Sequence, residues 1–174
     1  MSKIFLREIN ENDINQDYLN GFDDNSVTEF LEVEGKSLTK EAVLKYIARG
    51  IETKSYYLYA ICLKSNNKHI GNVKIGPINK KHSTSDLVTV IWDSQQWGKG
   101  LATEAIKEGN RLAFNEYNIR KLSGGIYEKN IGSIKAYVKA GWIIEGKLQN
   151  HYLIDGKLQD RIVVSCFNPY FRVD

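Results

Sequence analysis

Residues 86–117 read DLVTVIWDSQQWGKGLATEAIKEGNRLAFNEY. The first eight, DLVTVIWD (86–93), are β-branched or apolar between their two terminal aspartates and predict a strand. Over 99–117 the pattern changes, and Leu101, Ala105, Leu112 and Ala113 fall along one helical stripe. Between the two lies Gln96-Trp97-Gly98-Lys99-Gly100-Leu101-Ala102. Glycines at alternate positions let backbone N–H groups turn inward and approach a ligand closely. The helix start that follows adds free N–H donors and partial positive charge. Physically this is a cradle for a pyrophosphate. It also has the form of a plain strand-to-helix connection whose glycines only relieve crowding. No Walker G-x-x-x-x-G-K-[ST] occurs, and the three-glycine Rossmann spacing is lacking.

Outward from this stretch, KIFLREI (3–9) alternates with period two and predicts a strand. Residues 11–31 predict short helices with a break. Ser37 and Thr39 open a helix over about 39–53, with Leu38, Ala42, Val43, Tyr46 and Ile47 at helical spacing. SYYLYAICLK (55–64) and HIGNVKIG (69–76) are strands joined at Asn66-Asn67, and NKKHSTS (79–85) is a loop. KLSGGIY (121–127) is a strand, and IGSIKAYVKA (131–140) is a helix capped by Asn130 and closed by Gly141. WIIEGKLQNHYLI and KLQDRIVVSCF flank Asp155-Gly156, a strong hairpin signal. The order β, helices, βββ, α, β, α, ββ implies an α/β chain of the α+β kind, a mixed sheet flanked by helices and not a doubly wound one.

The 174 residues fit a single domain over 1–174. A hydrophobic fraction of 42% and a charged fraction of 26% are ordinary for a globular chain. The 24 Lys and Arg are interspersed with 21 Asp and Glu, so the net charge of +3 does not suggest a nucleic-acid partner. No apolar run is long enough for a membrane span, and MSKIFLREIN lacks the apolar core of a signal peptide. Cys62 and Cys166 sit in apolar runs without metal spacing and are expected as buried thiols, which suits a cytoplasmic setting.

A second segment reads Asn130-Ile131-Gly132-Ser133-Ile134-Lys135-Ala136-Tyr137-Val138-Lys139-Ala140-Gly141-Trp142. Helical geometry puts Asn130, Ser133 and Tyr137 on one face. This segment resembles N-x-x-[SA]-x-x-x-Y-x-K-x-G-[FWY] of the GNAT superfamily of N-acetyltransferases, with every slot filled. WGKGLATEA likewise resembles the family's acetyl-CoA loop, [QR]-x-x-G-x-[GA]. Read over Trp97, Gly98, Lys99, Gly100, Leu101 and Ala102, it has Trp97 where the pattern has Gln or Arg. IFLREINENDI, HIGNVKIGPI and EGKLQNHYLIDGKLQDRIVVS resemble the branch containing the ribosomal-protein (Rim-type) N-acetyltransferases.

The resemblance implies a mostly antiparallel, splayed sheet and transfer of acetyl from acetyl-CoA to a primary amine by direct attack in a ternary complex. It implies acetyl-CoA contacts from Trp97, Gly98, Lys99, Gly100, Leu101, Ala102, Thr103, Asn130 and Ser133, with main-chain contacts from Val90 and Trp92 of the splayed strand. It implies Tyr137 as the acid that protonates the leaving thiolate. Asp86, eleven residues before Trp97, is the matching general base; it is also readable as a solvated strand-edge carboxylate. Other candidates for that base are Glu8, Glu32, Glu34, His151 and Tyr152, whereas His69 and His82 receive no role. The acceptor is an amino sugar, antibiotic or polyamine, or a protein N-terminus, with Asp23, Asp24, Glu29, Glu32 and Glu34 available to attract a cationic one. The expected partners are acetyl-CoA and the amine, with no metal, nucleic acid or membrane, in a monomer or homodimer. A different class of function, a CoA-binding sensor that catalyses nothing, would keep the glycine loop and dispense with Tyr137.

Overall fold

The computed structural model describes residues 2–31 and 38–172, so Glu32, Glu34 and Ser37 lie outside the described residues. Seven strands form one sheet: β1 (Ile4–Glu8), β2 (Tyr57–Leu63), β3 (His69–Asn79), β4 (Thr84–Ile91), β5 (Lys121–Tyr127), β6 (Ile143–Ile154) and β7 (Lys157–Phe167). Their order is β1-β2-β3-β4-β5-β7-β6, and every pair is antiparallel except β4 with β5. The helices are α1 (Gln16–Asp23), α2 (Asn25–Thr28), α3 (Lys40–Thr53), α4 (Leu101–Asn115) and α5 (Ile131–Lys139). The expected order and mixed sheet are present. The expected loop at 79–85 is shorter than its polar residues suggested. Asn79 ends β3 and Thr84 opens β4, leaving only a four-residue turn, where Ser83 adopts a left-handed φ of 48°.

Helices cover both faces of the sheet, and each face has its own apolar cluster. On one, Leu101, Ala105, Ile106 and Ala113 of α4 and Tyr137 of α5 pack on Val73, Ile75, Leu87, Leu122 and Val164. On the other, Tyr18 and Phe22 of α1, Val27 of α2 and Val43 of α3 pack around Trp92. Among the described residues, no helix is long and apolar enough to cross a membrane.

Local signals explain the turns. Asp155 and Gly156 both have positive φ (48° and 72°), as a two-residue turn matched to strand twist requires. α5 ends in a Schellman arrangement: Gly141 has φ 94°, its N–H bonds Val138 O at 3.0 Å, and Trp142 N–H bonds Tyr137 O at 3.1 Å. The rings of Tyr137 and Trp142 meet edge-on at 4.8 Å, the apolar contact that accompanies this ending. The sequence Tyr137-Val138-Lys139-Ala140-Gly141-Trp142 therefore fixes where Tyr137 stands.

The entry from β1 to α1 is fastened by charge. Asp13 accepts two hydrogen bonds from Arg7, at 2.6 and 2.7 Å, and one from Asn10 N–H at 2.8 Å, and is 7% exposed. Burial opposes ionisation of Asp13, but the Arg7 guanidinium and the Asn10 N–H prevail and hold it below the usual aspartate range. Asp13 is thus more acidic folded than unfolded. Its contribution to stability is complete above about pH 4 and is lost as pH falls through the lower folded value. Asp13→Ala should cost about 2 kcal/mol, less than a fully buried pair would because Arg7 is partly solvated. Thermal melts should show a gap between variant and parent at pH 7 that narrows as pH drops below about 4.

Candidate active site

β4 and β5 are paired only over Thr84, Ser85 and Asp86 with Lys121, Leu122 and Ser123. Beyond Asp86 the strands part. β4 stays with β3 to the pair Ile91–Gly71, and β5 stays with β7 to the pair Tyr127–Arg161. The wedge between them exposes one edge of each strand, and backbone polar groups there must find other partners.

Two side chains supply them. Tyr137 Oη donates to Leu87 O at 2.8 Å, and Trp97 Nε1 donates to Ile91 O at 2.8 Å. Backbone direction alternates along a strand, so Leu87, Thr89 and Ile91 turn their N–H and C=O groups into the wedge. Val90 turns the other way: its carbonyl oxygen would lie 2.3 Å from a Cβ at Gly71 of β3. This corrects the expectation for the main-chain contacts. Val90 lines the cleft but directs its backbone to β3, and the residues facing the wedge are Thr89 and Ile91. Trp92 is buried against Tyr18 and His69 and does not line the cleft.

A groove of about 600 Å³ runs through the wedge. One end is walled by the glycine loop, the first turn of α4 and one side of α5. The other reaches the segment after α2, at Phe30. Gly98 and Gly100 have φ of 74° and 79°, a conformation that side chains with a Cβ resist, and a Cβ at either position would meet nothing within 4 Å. That open space is the groove. The N-terminus of α4 has no side-chain cap, whereas α1, α2, α3 and α5 are capped by Asn15, Asp24, Thr39 and Asn130. Its first N–H groups thus face the groove without a protein side chain on them, the arrangement suited to an anion. Lys135 and Lys139 of α5, one turn apart, add positive charge to the same wall. These features fit the diphosphate of acetyl-CoA.

The expected contacts largely converge. Trp97, Gly98, Gly100, Leu101, Ala102, Thr103, Asn130, Ser133 and Tyr137 all line the groove. Asn130 also caps α5, its Oδ1 accepting from Ser133 N–H at 3.0 Å. Lys99 does not line it; its Nζ instead donates to Gln96 Oε1 at 3.0 Å. Gln96, Lys135, Lys139 and the Thr89 and Ile91 backbone went unforeseen. The two lysines were detectable as an i, i+4 pair on the same helix as Tyr137.

Tyr137 is 5% exposed, and burial keeps its hydroxyl protonated well above the usual tyrosine range. Asp86 occupies the last β4–β5 pair, at the apex of the wedge, on the face opposite Leu87 and outside the groove lining. Burial raises its pKa, with Arg161 and Lys74 opposing. Of the other base candidates, Glu8 lies on β1, far across the sheet, and His151 and Tyr152 lie on β6 beside Arg161.

Residues 3–143 match the family described as the acetyltransferase (GNAT) domain. The chain belongs to the GNAT acetyltransferase family. It is 26% identical over 155 residues to the probable N-acetyltransferase YjcK of Bacillus subtilis (strain 168), covering 89% of this chain and 83% of that one. It is 30% identical over 112 residues to the spermidine N(1)-acetyltransferase of Escherichia coli (strain K12), covering 64% and 60%. Its fold is shared with the spermidine N-acetyltransferase from Vibrio cholerae in complex with CoA and spermine (TM-score 0.84, 19% identity, 95% of each chain). It is shared equally with the ribosomal-protein-S5-alanine acetyltransferase from Vibrio fischeri (TM-score 0.82, 20% identity, 99% and 97%). In the GNAT loop pattern the polar slot stands three residues before the first glycine. Counting back from Gly98 reaches Gln95, so the slot is filled and Trp97 is not a substitution within it.

Gly100→Ala should strain the loop by about 1 kcal/mol and place a methyl group in the groove. Acetyl-CoA affinity measured by calorimetry should fall roughly tenfold or more, with the melting temperature lowered by only a few degrees.

Proposed function

We propose that this GNAT enzyme transfers acetyl from acetyl-CoA to a primary amine by direct attack while both are bound. The carrying observation is that one narrow wedge brings together the uncapped α4 terminus, strand backbone turned inward at Thr89 and Ile91, and the buried Tyr137 hydroxyl. The α4 terminus and glycine loop hold the diphosphate, and the thioester lies along β4. The amine enters from the α2 side, near Phe30.

An ammonium must lose a proton before it attacks, since amines of this kind have pKa values of about 8 to 10. Asp86 takes that proton, directly or through water. The nitrogen adds to the thioester carbonyl, and the resulting oxyanion is met by β4 backbone N–H at the wedge. The C–S bond then breaks, the electron pair stays on sulfur, Tyr137 Oη gives the thiolate its proton, and the second proton shed by the acylated nitrogen restores the Tyr137 hydroxyl. Until then Leu87 O holds that hydroxyl in place. Cys62 is fully buried and neither thiol lines the groove, so the acetyl group does not pass through a cysteine. The free thiols fit a reducing, cytoplasmic setting.

The test is thiol release from acetyl-CoA against amino sugars, aminoglycosides, spermidine and peptides with free N-termini. Release that depends on an amine supports the reading; acetyl-CoA binding without release from any class would favour a CoA-binding sensor. Asp86→Asn should lower kcat by about 10²–10³-fold. The base works ionised, so wild-type kcat/KM should fall as pH drops through the raised pKa of Asp86. That limb should vanish in the variant, leaving only the acceptor's own titration.

A further inference from the structure

Phe30, which lines the groove, also touches a cluster outside its lining that the transfer chemistry alone does not require. The Phe30 ring lies 5.8 Å from that of Tyr127, Tyr127 stacks on Tyr152 at 3.8 Å, and His151 meets Tyr152 edge-on at 5.0 Å. Arg161 is the β7 partner of Tyr127, and its Nη1 lies 3.3 Å from His151 Nε2. A Cβ at Gly125 would sit 2.0 Å from Arg161 Nε and 2.3 Å from its Nη2. Glycine at 125 is therefore the space that the guanidinium occupies, flat against β5 beside the wedge. Its Nε is buried without a hydrogen-bond partner among the described residues.

Lys74 of β3, the register partner of Val88, extends over the rings of Tyr46 and Tyr56 at 5.4 and 5.1 Å. Both cations act on Asp86 electrostatically. Among the described residues, neither has a carboxylate at ion-pair distance. Several other charges on or beside β5, β6 and β7 are matched to one another: Lys121 with Glu145, and Lys147 with Glu128 and Asp160. Asp86 thus lies between two cations, Lys74 and Arg161, on the sheet side, while Glu29 lines the groove on its α2 side.

Building on the acetyl-transfer reading, we propose that the acceptor is an amine bearing an anionic group, a carboxylate or a phosphate, received by Arg161 and Lys74 beside Asp86, and that polyamines are poor acceptors. The amine faces Asp86 and the thioester while the anion faces the guanidinium. A polyamine would have to bring further ammonium groups against two fixed cations.

The test uses matched acceptors in the thiol-release assay: glucosamine against glucosamine 6-phosphate, 4-aminobutanol against 4-aminobutyrate, and spermidine. The expected result is an advantage of at least about tenfold in kcat/KM for the anionic member of one pair, with spermidine below it. The pair that shows the advantage identifies phosphate or carboxylate. Arg161→Gln and Lys74→Gln should each reduce that ratio by about tenfold, with acetyl-CoA affinity within about twofold of the parent as the check on folding. Equal rates within both pairs, or spermidine as the best acceptor, would overturn the proposal. If no amine releases thiol, the transfer reading fails, and calorimetry on the CoA-loaded protein decides the anion site separately. Binding of either anionic amine that is lost in Arg161→Gln supports it, and no binding overturns it.

Discussion

Two parallel strands that stay joined for three residues and then part leave backbone groups without a strand partner, and the rest of this structure is organised around those groups. Leu87 O is claimed by Tyr137 Oη and Ile91 O by Trp97 Nε1. Each bond does structural and functional work together. The first ties α5 to β4 and suspends a phenol in the wedge. The second holds the glycine loop against the end of the same strand, so that the uncapped start of α4 faces the groove. Thr89 stands between them with its backbone turned the same way. A buried polar group left unpaired is costly, which makes a wedge that satisfies its walls and keeps one opening a defined place for a ligand.

What holds the wedge open is packing at a distance from it. The Schellman ending of α5 and the Tyr137–Trp142 ring contact set the angle at which α5 approaches the sheet. Trp142 Nε1 in turn donates to Asn110 Oδ1 at 3.1 Å, linking α5 to α4. The two helices that line the groove are thus fastened to each other behind it. On the opposite face, Trp92 and the Arg7–Asp13 pair anchor the first helices, after which Phe30 lines the groove.

Much of this was legible in the sequence because it is local. Gly98 and Gly100 before a helical stripe, Asn130 before another, Gly141 after it and Asp155-Gly156 between two strands each act within a few residues. Other features depend on strand register. LVTVIW (87–92) is apolar at every position except Thr89, so periodicity could not decide whether the odd or even residues turn their backbone into the wedge, and Val90 was the wrong parity. The meeting of Lys74, Asp86 and Arg161 joins three strands far apart in the chain, and no local signal announces it. Glycine at 125 reads as an ordinary strand glycine until the Arg161 guanidinium is seen lying over it.

The central claim is that the Tyr137 hydroxyl in the wedge is the proton source for the leaving thiolate. The most direct measurement is single-turnover acetyl transfer by Tyr137→Phe, with acetyl-CoA affinity measured on the same preparation. The account predicts a fall of about 10²–10³-fold in the transfer rate with affinity within a few fold of the parent, because the ring still packs on Trp142. A variant that binds acetyl-CoA normally and transfers at the parent rate would contradict it.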